Sequence, residues 1–304
     1  MKKLIFELRT FLKEDYHPFT YIFTILFLAV SLSINYYYQF EDTVIDSYYG
    51  KPSGFVIYFL FYAFPYYTIT VVSLISKKQQ YKLKNPEFWV KSFVFIGLFS
   101  YITAFSQYRP FVKSFSENNQ EYFFLLKAFG NLKRIIPFIL VFYILKRIYD
   151  SNDSHIYGLR FKGLNYRPFF IMLLMMVPVI AAVSFQESFQ HAYPRFKHWY
   201  FPEVFNFSEP EKIFWFELAY GLDFISIEFL FRGALIVGMA KVLKKEAVLP
   251  MVAFYVFIHF GKPALEAIST MVLLRHRTLF FEVSSASHIL KFYPLDSQWV
   301  DRLL

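Results

Sequence analysis

The chain has 304 residues, 56% of them apolar and only 18% charged, and its mean hydropathy is +0.36. Soluble domains carry about 25% charged residues, so this composition, with 42 Phe and 24 Tyr spread along repeated apolar runs, excludes an ordinary water-soluble domain and reads as a polytopic membrane protein. The formal charge of +9 comes from Lys and Arg that flank apolar segments without forming a continuous patch, which argues against a nucleic-acid partner; zero cysteine excludes disulfides, thiolate metal sites and a cysteine nucleophile.

Residues 1–16 read as a short amphipathic helix on the membrane surface, with Lys2, Lys3, Arg9 and Lys13 suited to the cytoplasmic face. They lack the apolar core and small-residue cleavage site of a secretory signal. A first span is predicted over residues 19–38. The loop after it holds Glu41, Asp42 and Asp46 against one Lys51 and reads as external. A second span over 55–76 ends at Lys77, Lys78, Lys82 and Lys84, which read as cytoplasmic. A third span covers 88–106. After a polar loop at 116–120, residues 121–133 form an interfacial helix that leads into a fourth span at 135–145.

The basic loop 146–167 marks a boundary. Residues 1–150 form an N-terminal transmembrane region, and residues 151–304 form a second, catalytic-looking region. A fifth span is predicted over 169–185. The aromatic-rich stretch 186–212 reads as an external loop anchored in the interface by Tyr193, Trp199 and Tyr200. The apolar stretch 213–242 crosses back and ends at Lys241, Lys244 and Lys245. Three shorter segments follow, at 247–260, 263–274 and 279–292. Each falls below the roughly 20 residues that span comfortably. Short, tilted helices around a water-filled cavity account for them. The expected architecture is an all-α transmembrane bundle of about eight helices with a polar intramembrane cavity in its C-terminal half and a cytoplasmic N-terminus.

The last third places ionisable groups inside apolar helices. Glu228 and Arg232 are four residues apart and pair on one helix face. At about 1.5 Å per residue, Glu228 lies about 22 Å into its stretch, near the middle of a hydrocarbon core about 30 Å thick. An ionised side chain there is costly, about 2.5–3.5 kcal/mol for arginine on insertion scales. His259 and His288 follow in the next apolar segments, and Lys262 and Glu266 stand four apart beside His259. A carboxylate and two imidazoles at membrane depth fit three uses. They activate a water while the second imidazole donates to an oxyanion. They bind zinc, although no His-Glu-x-x-His spacing is present. Or they form a satisfied polar network that only holds helices together.

These residues resemble the CPBP family, the CAAX-protease and bacteriocin-processing intramembrane endopeptidases. That family carries Glu-Glu-x-x-x-Arg, usually ending Phe-Arg-Gly, then Phe-x-x-x-His, then His-x-x-x-Asn or His-x-x-x-Asp. Here Glu228 to Gly233 matches the second Glu, the Arg and the Phe-Arg-Gly ending; Tyr255 to His259 matches the second motif with Tyr for Phe. Arg277-Thr278-Leu279 leading to His288 is similar to the approach to the family's last helix, and Tyr157-Gly158-Leu159-Arg160 to the start of its conserved half. The likeness covers residues 157–293. Two positions depart: Ile227 stands for the first Glu, and Phe292 for the final Asn or Asp. A single Glu followed by an aromatic, together with His259-Phe260-Gly261-Lys262-Pro263, resembles a single-Glu subgroup.

The resemblance implies an integral protein of a bacterial plasma membrane that hydrolyses a membrane-tethered or hydrophobic peptide without metal or cofactor. Glu228 would be the general base, Arg232 its orienting partner, His259 the second water-activating group and His288 an oxyanion donor. Re-aiming Glu228 in place of residue 227 requires about 100° of rotation, by a helix rotation or a local 3₁₀ turn. The alternative that Ile227 and Phe292 imply is an inactive relative that scaffolds or binds another membrane protein.

Overall fold

The computed structural model describes residues 17–153, 155–158, 184–264, 266 and 267, with scattered positions between 174 and 182. Regular structure among them is helical throughout. Helices α1 (Pro18–Tyr38), α2 (Gly54–Ser76) and α3 (Pro86–Ala104) have 21, 23 and 19 residues. Each therefore reaches roughly 30 Å, the thickness of a bilayer's hydrocarbon core. Local chemistry fixes their ends. Pro18 and Pro86 sit in the first turns, where a missing N–H costs nothing. The Asn85 side chain accepts from Glu87 N at 2.9 Å. α1 stops where Gln39 turns left-handed, at φ 50°, and donates its N–H to Asn35 O.

A short α4 (Tyr108–Lys113) leads to α5 (Asn119–Leu132) and α6 (Ile135–Tyr149). The sequence placed 121–133 in the interface and began the fourth span at 135. In the structure the two helices are separated only by Lys133 and Arg134, and the 31-residue stretch Asn119–Tyr149 is the fourth that is long and apolar enough to cross a membrane. Both cations lie over aromatic rings: Lys133 Nζ is 5.1 Å from the Tyr108 centroid and Arg134 Cζ 5.6 Å from that of Phe99.

α1 shows how such helices are solvated. Tyr21, Thr24, Leu28, Leu32 and Asn35 point inward, while Phe19, Ile22, Leu26, Val30 and Ile34 form an exposed stripe on the other side. Similar faces stand out on α2 at Val56, Leu60 and Phe64, and on α6 at Ile136, Leu140 and Tyr143. Continuous apolar surface of this extent needs lipid. The molecule is an all-helical membrane protein. Of the remaining predicted spans, 169–185 and 263–274 lie largely, and 279–292 wholly, outside the described residues.

After α7 (Glu187–Ala192), α8 (Glu209–Glu228) starts with a capping box in which Ser208 N donates to Glu211 Oε2 at 2.8 Å. It continues as a π-helical segment, Phe229–Val237, and then as α9 (Gly238–Leu243). α10 (Val248–Phe257) is buried along its whole length and packs on α2, α1 and the π segment. A helix apolar on every face belongs inside a bundle, and ten residues reach only about 15 Å. One buried core runs from Leu28 to Ala267 and draws on both halves of the chain.

The bundle has two chemically different ends. At one, Thr20 meets Ser76 at 2.7 Å, Lys77 pairs with Glu246 at 2.8 Å, and Lys82 Nζ donates to Leu243 O at 2.9 Å. The start of α1, the end of α2 and the end of α9 thus gather where the lysines are concentrated. The opposite end carries Glu41, Asp42 and Asp46.

Candidate functional site

Glu228 is the last residue of α8, and the π segment begins directly after it. Gly238 N donates to Gly233 O, five residues back, in place of the α-helical four. Where a rotation or a tight 3₁₀ turn was expected, the winding after Glu228 is the wider π form. A tyrosine is wedged against this segment. Tyr157, buried and with φ 44°, is set against Gly233 and Gly238. A Cβ at Gly233 would lie 2.9 Å from Phe229 Cδ2 and 3.0 Å from Tyr157 O; one at Gly238 would lie 3.0 Å from the Tyr157 ring. Two glycines five apart share a face of a π helix, and their missing side chains admit Tyr157. Tyr157 and Gly233 come from two separate sequence motifs that the fold brings into contact. Leu159 and Arg160 of the first motif lie outside the described residues.

Arg232 and Glu228 form an ion pair, with the arginine side chain 11% and the glutamate 30% exposed. Burying one charge without the other would be costly, so the pair itself makes the position tenable. Ile227 is only partly buried and packs against the central core.

His259 lies two residues past the end of α10. Its Nδ1 is 2.8 Å from Tyr255 O. A carbonyl only accepts, so Nδ1 carries the proton and Nε2 is the acceptor of the neutral ring. The ring also lies against Tyr255, at 4.6 Å between centroids, and Tyr255 meets Phe231 edge-on at 4.8 Å. Phe231 sits between Glu228 and Arg232 in sequence. The π segment and the His259-bearing end of α10 are therefore packed against each other through these rings. His288, with Phe292 and Arg277, lies outside the described residues. Of the four sequence-derived candidates, the structure joins Glu228 to Arg232 and packs the segment that bears them on the helix leading to His259.

Comparisons with known proteins return no match, whether to family models, to curated proteins or to solved structures. The likeness to CPBP endopeptidases therefore stands on the motif residues themselves.

Asp223, Asn35 and Tyr36, three polar residues around this region, escaped the sequence reading. Asp223, on the same helix as Glu228, pairs with Arg134 at 2.5 Å. It is four residues before Ile227 and so lies on that residue's face. The signal was an acid within an apolar run. Asn35 and Tyr36, at the end of α1, bond to the His259 turn: Asn35 Nδ2 donates to Phe260 O at 3.1 Å and Tyr36 Oη to Lys262 O at 2.8 Å. Glu266, four residues after Lys262, receives the Tyr193 hydroxyl at 3.1 Å on both oxygens. Burial, and then the Glu266 charge, pushes the Tyr193 hydroxyl well above its ordinary value, so it stays a donor at neutral pH.

Glu41 abuts this turn as well. Burial, with Asp46 and Asp42 beside it, pushes its carboxyl up from 4.5 to about 8. The three carboxylates offer oxygens within 4.8 Å of one another, and holding the Glu41 proton relieves their mutual repulsion. The folded state then binds a proton that the unfolded chain releases above pH 4.5. Stability from this group is complete below the ordinary value, falls as pH rises, and levels off above about 8. Glu41→Gln is expected to flatten that decline. Thermal unfolding of both proteins in detergent from pH 4 to 9 checks it, and parallel curves would refute it.

Proposed function

We propose that the protein is an intramembrane endopeptidase related to the CPBP family, which cuts a membrane-tethered or hydrophobic peptide. The observation that carries the reading is the π-helical break placed directly after Glu228 and containing Arg232, packed on the helix that ends at His259. π segments inside longer helices recur at functional sites. Glu228 is the general base, held in direction by the Arg232 guanidinium. The acceptor Nε2 of His259 shares the water's proton. His288 is assigned the oxyanion on motif order alone. Water attacks the scissile carbonyl, its proton passes to the Glu228–His259 pair, and the leaving amine takes it back. The residues that carry this chemistry are Glu228, Arg232, His259 and His288, and it calls on no metal or cofactor.

The lysine-rich end of the bundle favours a cytoplasmic N-terminus, and the family resemblance favours a bacterial plasma membrane. A bundle of about eight helices with a polar cavity beside Glu228 would give water and peptide access. A second reading has its own observations. Ile227 is where the family's first acid stands, and Glu228 already has a partner in Arg232. These favour a non-catalytic relative that scaffolds another membrane protein.

The test compares membrane peptidomes of cells that carry the wild-type chain, Glu228→Gln or no copy. New peptide termini confined to wild type are expected. Identical peptidomes, with both proteins inserted and folded, would move the assignment to the scaffold.

A further inference from the structure

We propose that Asn35 and Tyr36, on the first described helix, are positioning residues that latch the backbone turn carrying His259. α10 ends at Phe257, and the chain then passes through a succession of tight turns. His259 N donates to Val256 O at 3.0 Å, Phe260 N to Phe257 O at 3.2 Å, and Lys262 N to His259 O at 3.0 Å. The carbonyls at the end of a helix lack intrahelical partners. In the turns beyond the helix, the carbonyls of Phe260 and Lys262 are taken by two consecutive residues more than 220 positions earlier in the chain.

Asn35 is well placed for the task. It is 4% exposed, and each of its acceptors and its amide donor is used at one junction. Its backbone carbonyl stops α1 by accepting from Gln39 N. Its Oδ1 accepts from Glu41 N at 2.9 Å, while Nδ2 donates to Phe260 O. One amide side chain thus ties the end of α1, the acidic loop and the His259 turn together. Glu41 closes the cradle from the other side: a Cβ on Gly261 would stand 2.6 Å from Glu41 Oε2. Residues 260, 261 and 262 are each held from the end of α1 or from the loop that follows it.

The division of labour is specific. The His259 ring is aimed by its own helix, through Tyr255 O and the Tyr255 ring. The backbone that carries the ring is fixed by α1. Loss of the latch lets the turn move while the ring's local bond survives. A displacement of about 1 Å at a reacting group lowers turnover about 100-fold. The effect on turnover rests on the reading of His259 as a water-activating residue; the latch itself does not.

The experiment uses the full chain in lipid nanodiscs, with Tyr36→Phe and Asn35→Leu. Tyr36→Phe removes one hydroxyl and is the variant that keeps its fold. Backbone hydrogen exchange, followed by mass spectrometry, is expected to rise about tenfold in peptides covering residues 258–262, the size of one hydrogen bond, with α2 and α6 unchanged. On a substrate found in the peptidome comparison, kcat should fall with KM held. Local loosening without any cleavage by wild type would keep the latch and reject the protease. Unchanged exchange at 258–262 in Tyr36→Phe would overturn the latch, and so would a rise spread evenly over all helices in both variants.

Discussion

Lys91→Met is expected to destabilise the bundle by about 3–5 kcal/mol, the cost of breaking a buried ion pair by removing one partner. The Lys91 side chain is fully buried. Its Nζ lies 2.6 Å from Asp150 Oδ2, 2.7 Å from Glu87 Oε1 and 2.9 Å from Gly238 O. It joins α3 to the end of α6 and to the residue that follows the π segment. Methionine fills much of the same volume, so packing changes little and the electrostatic loss dominates. Asp150, 4% exposed, would face Glu87 with no cation between them. Glu87 retains Lys241 at 3.7 Å, which limits the damage on that side. The unfolding midpoint in detergent should fall on the order of ten degrees. Lys91→Met with Asp150→Asn should recover part of the loss, since the uncompensated charge is gone. A single variant as stable as wild type would show that this network contributes nothing to folding.

Much of the frame was legible because it rests on local chemistry. Helices α1 to α3 follow from apolar runs of bilayer length, and their ends from Pro18, Asn85, Pro86 and the lysines after Ser76. The Glu228–Arg232 pair follows from a spacing of four on a helix. What stayed hidden depends on contacts distant in sequence. Nothing near Phe229 announces a π segment, and the spacing of five between Gly233 and Gly238 has meaning only once Tyr157 is seen against both. Asn35 looks like one polar residue in an apolar helix until Phe260, 225 positions away, is placed beside it. Asp223 was passed over for a similar reason, because Arg134 lies far away in sequence, at the junction of α5 and α6. The motif residues drew attention to one neighbourhood of the fold, where Glu228 meets Arg232. The residues that hold it in place are specified by packing.

Glu228→Gln should lower turnover by about 10²–10⁴-fold, the usual worth of a positioned general base, and what happens on also changing Arg232 separates catalysis from scaffolding. Glutamine keeps the length of Glu228 but removes the negative charge that pairs with the Arg232 guanidinium, 11% exposed. Breaking a largely buried ion pair by removing one charge is destabilising, so Glu228→Gln alone should also lower the unfolding midpoint. Loss of activity in that variant therefore has two explanations. The double variant Glu228→Gln with Arg232→Gln removes both charges and both desolvation penalties. Its midpoint should return close to that of wild type, because replacing a whole buried ion pair is often neutral. If Glu228 is the base, turnover stays lost in the stable double variant. If the pair only holds helices together, whatever function the protein has returns with its stability. The two residues contact each other directly, so the effects of changing them are expected to couple and not to add. Recovery of cleavage in the double variant would remove Glu228 from the chemistry and leave water activation to Asp223 or His259, the nearby groups that can accept a proton.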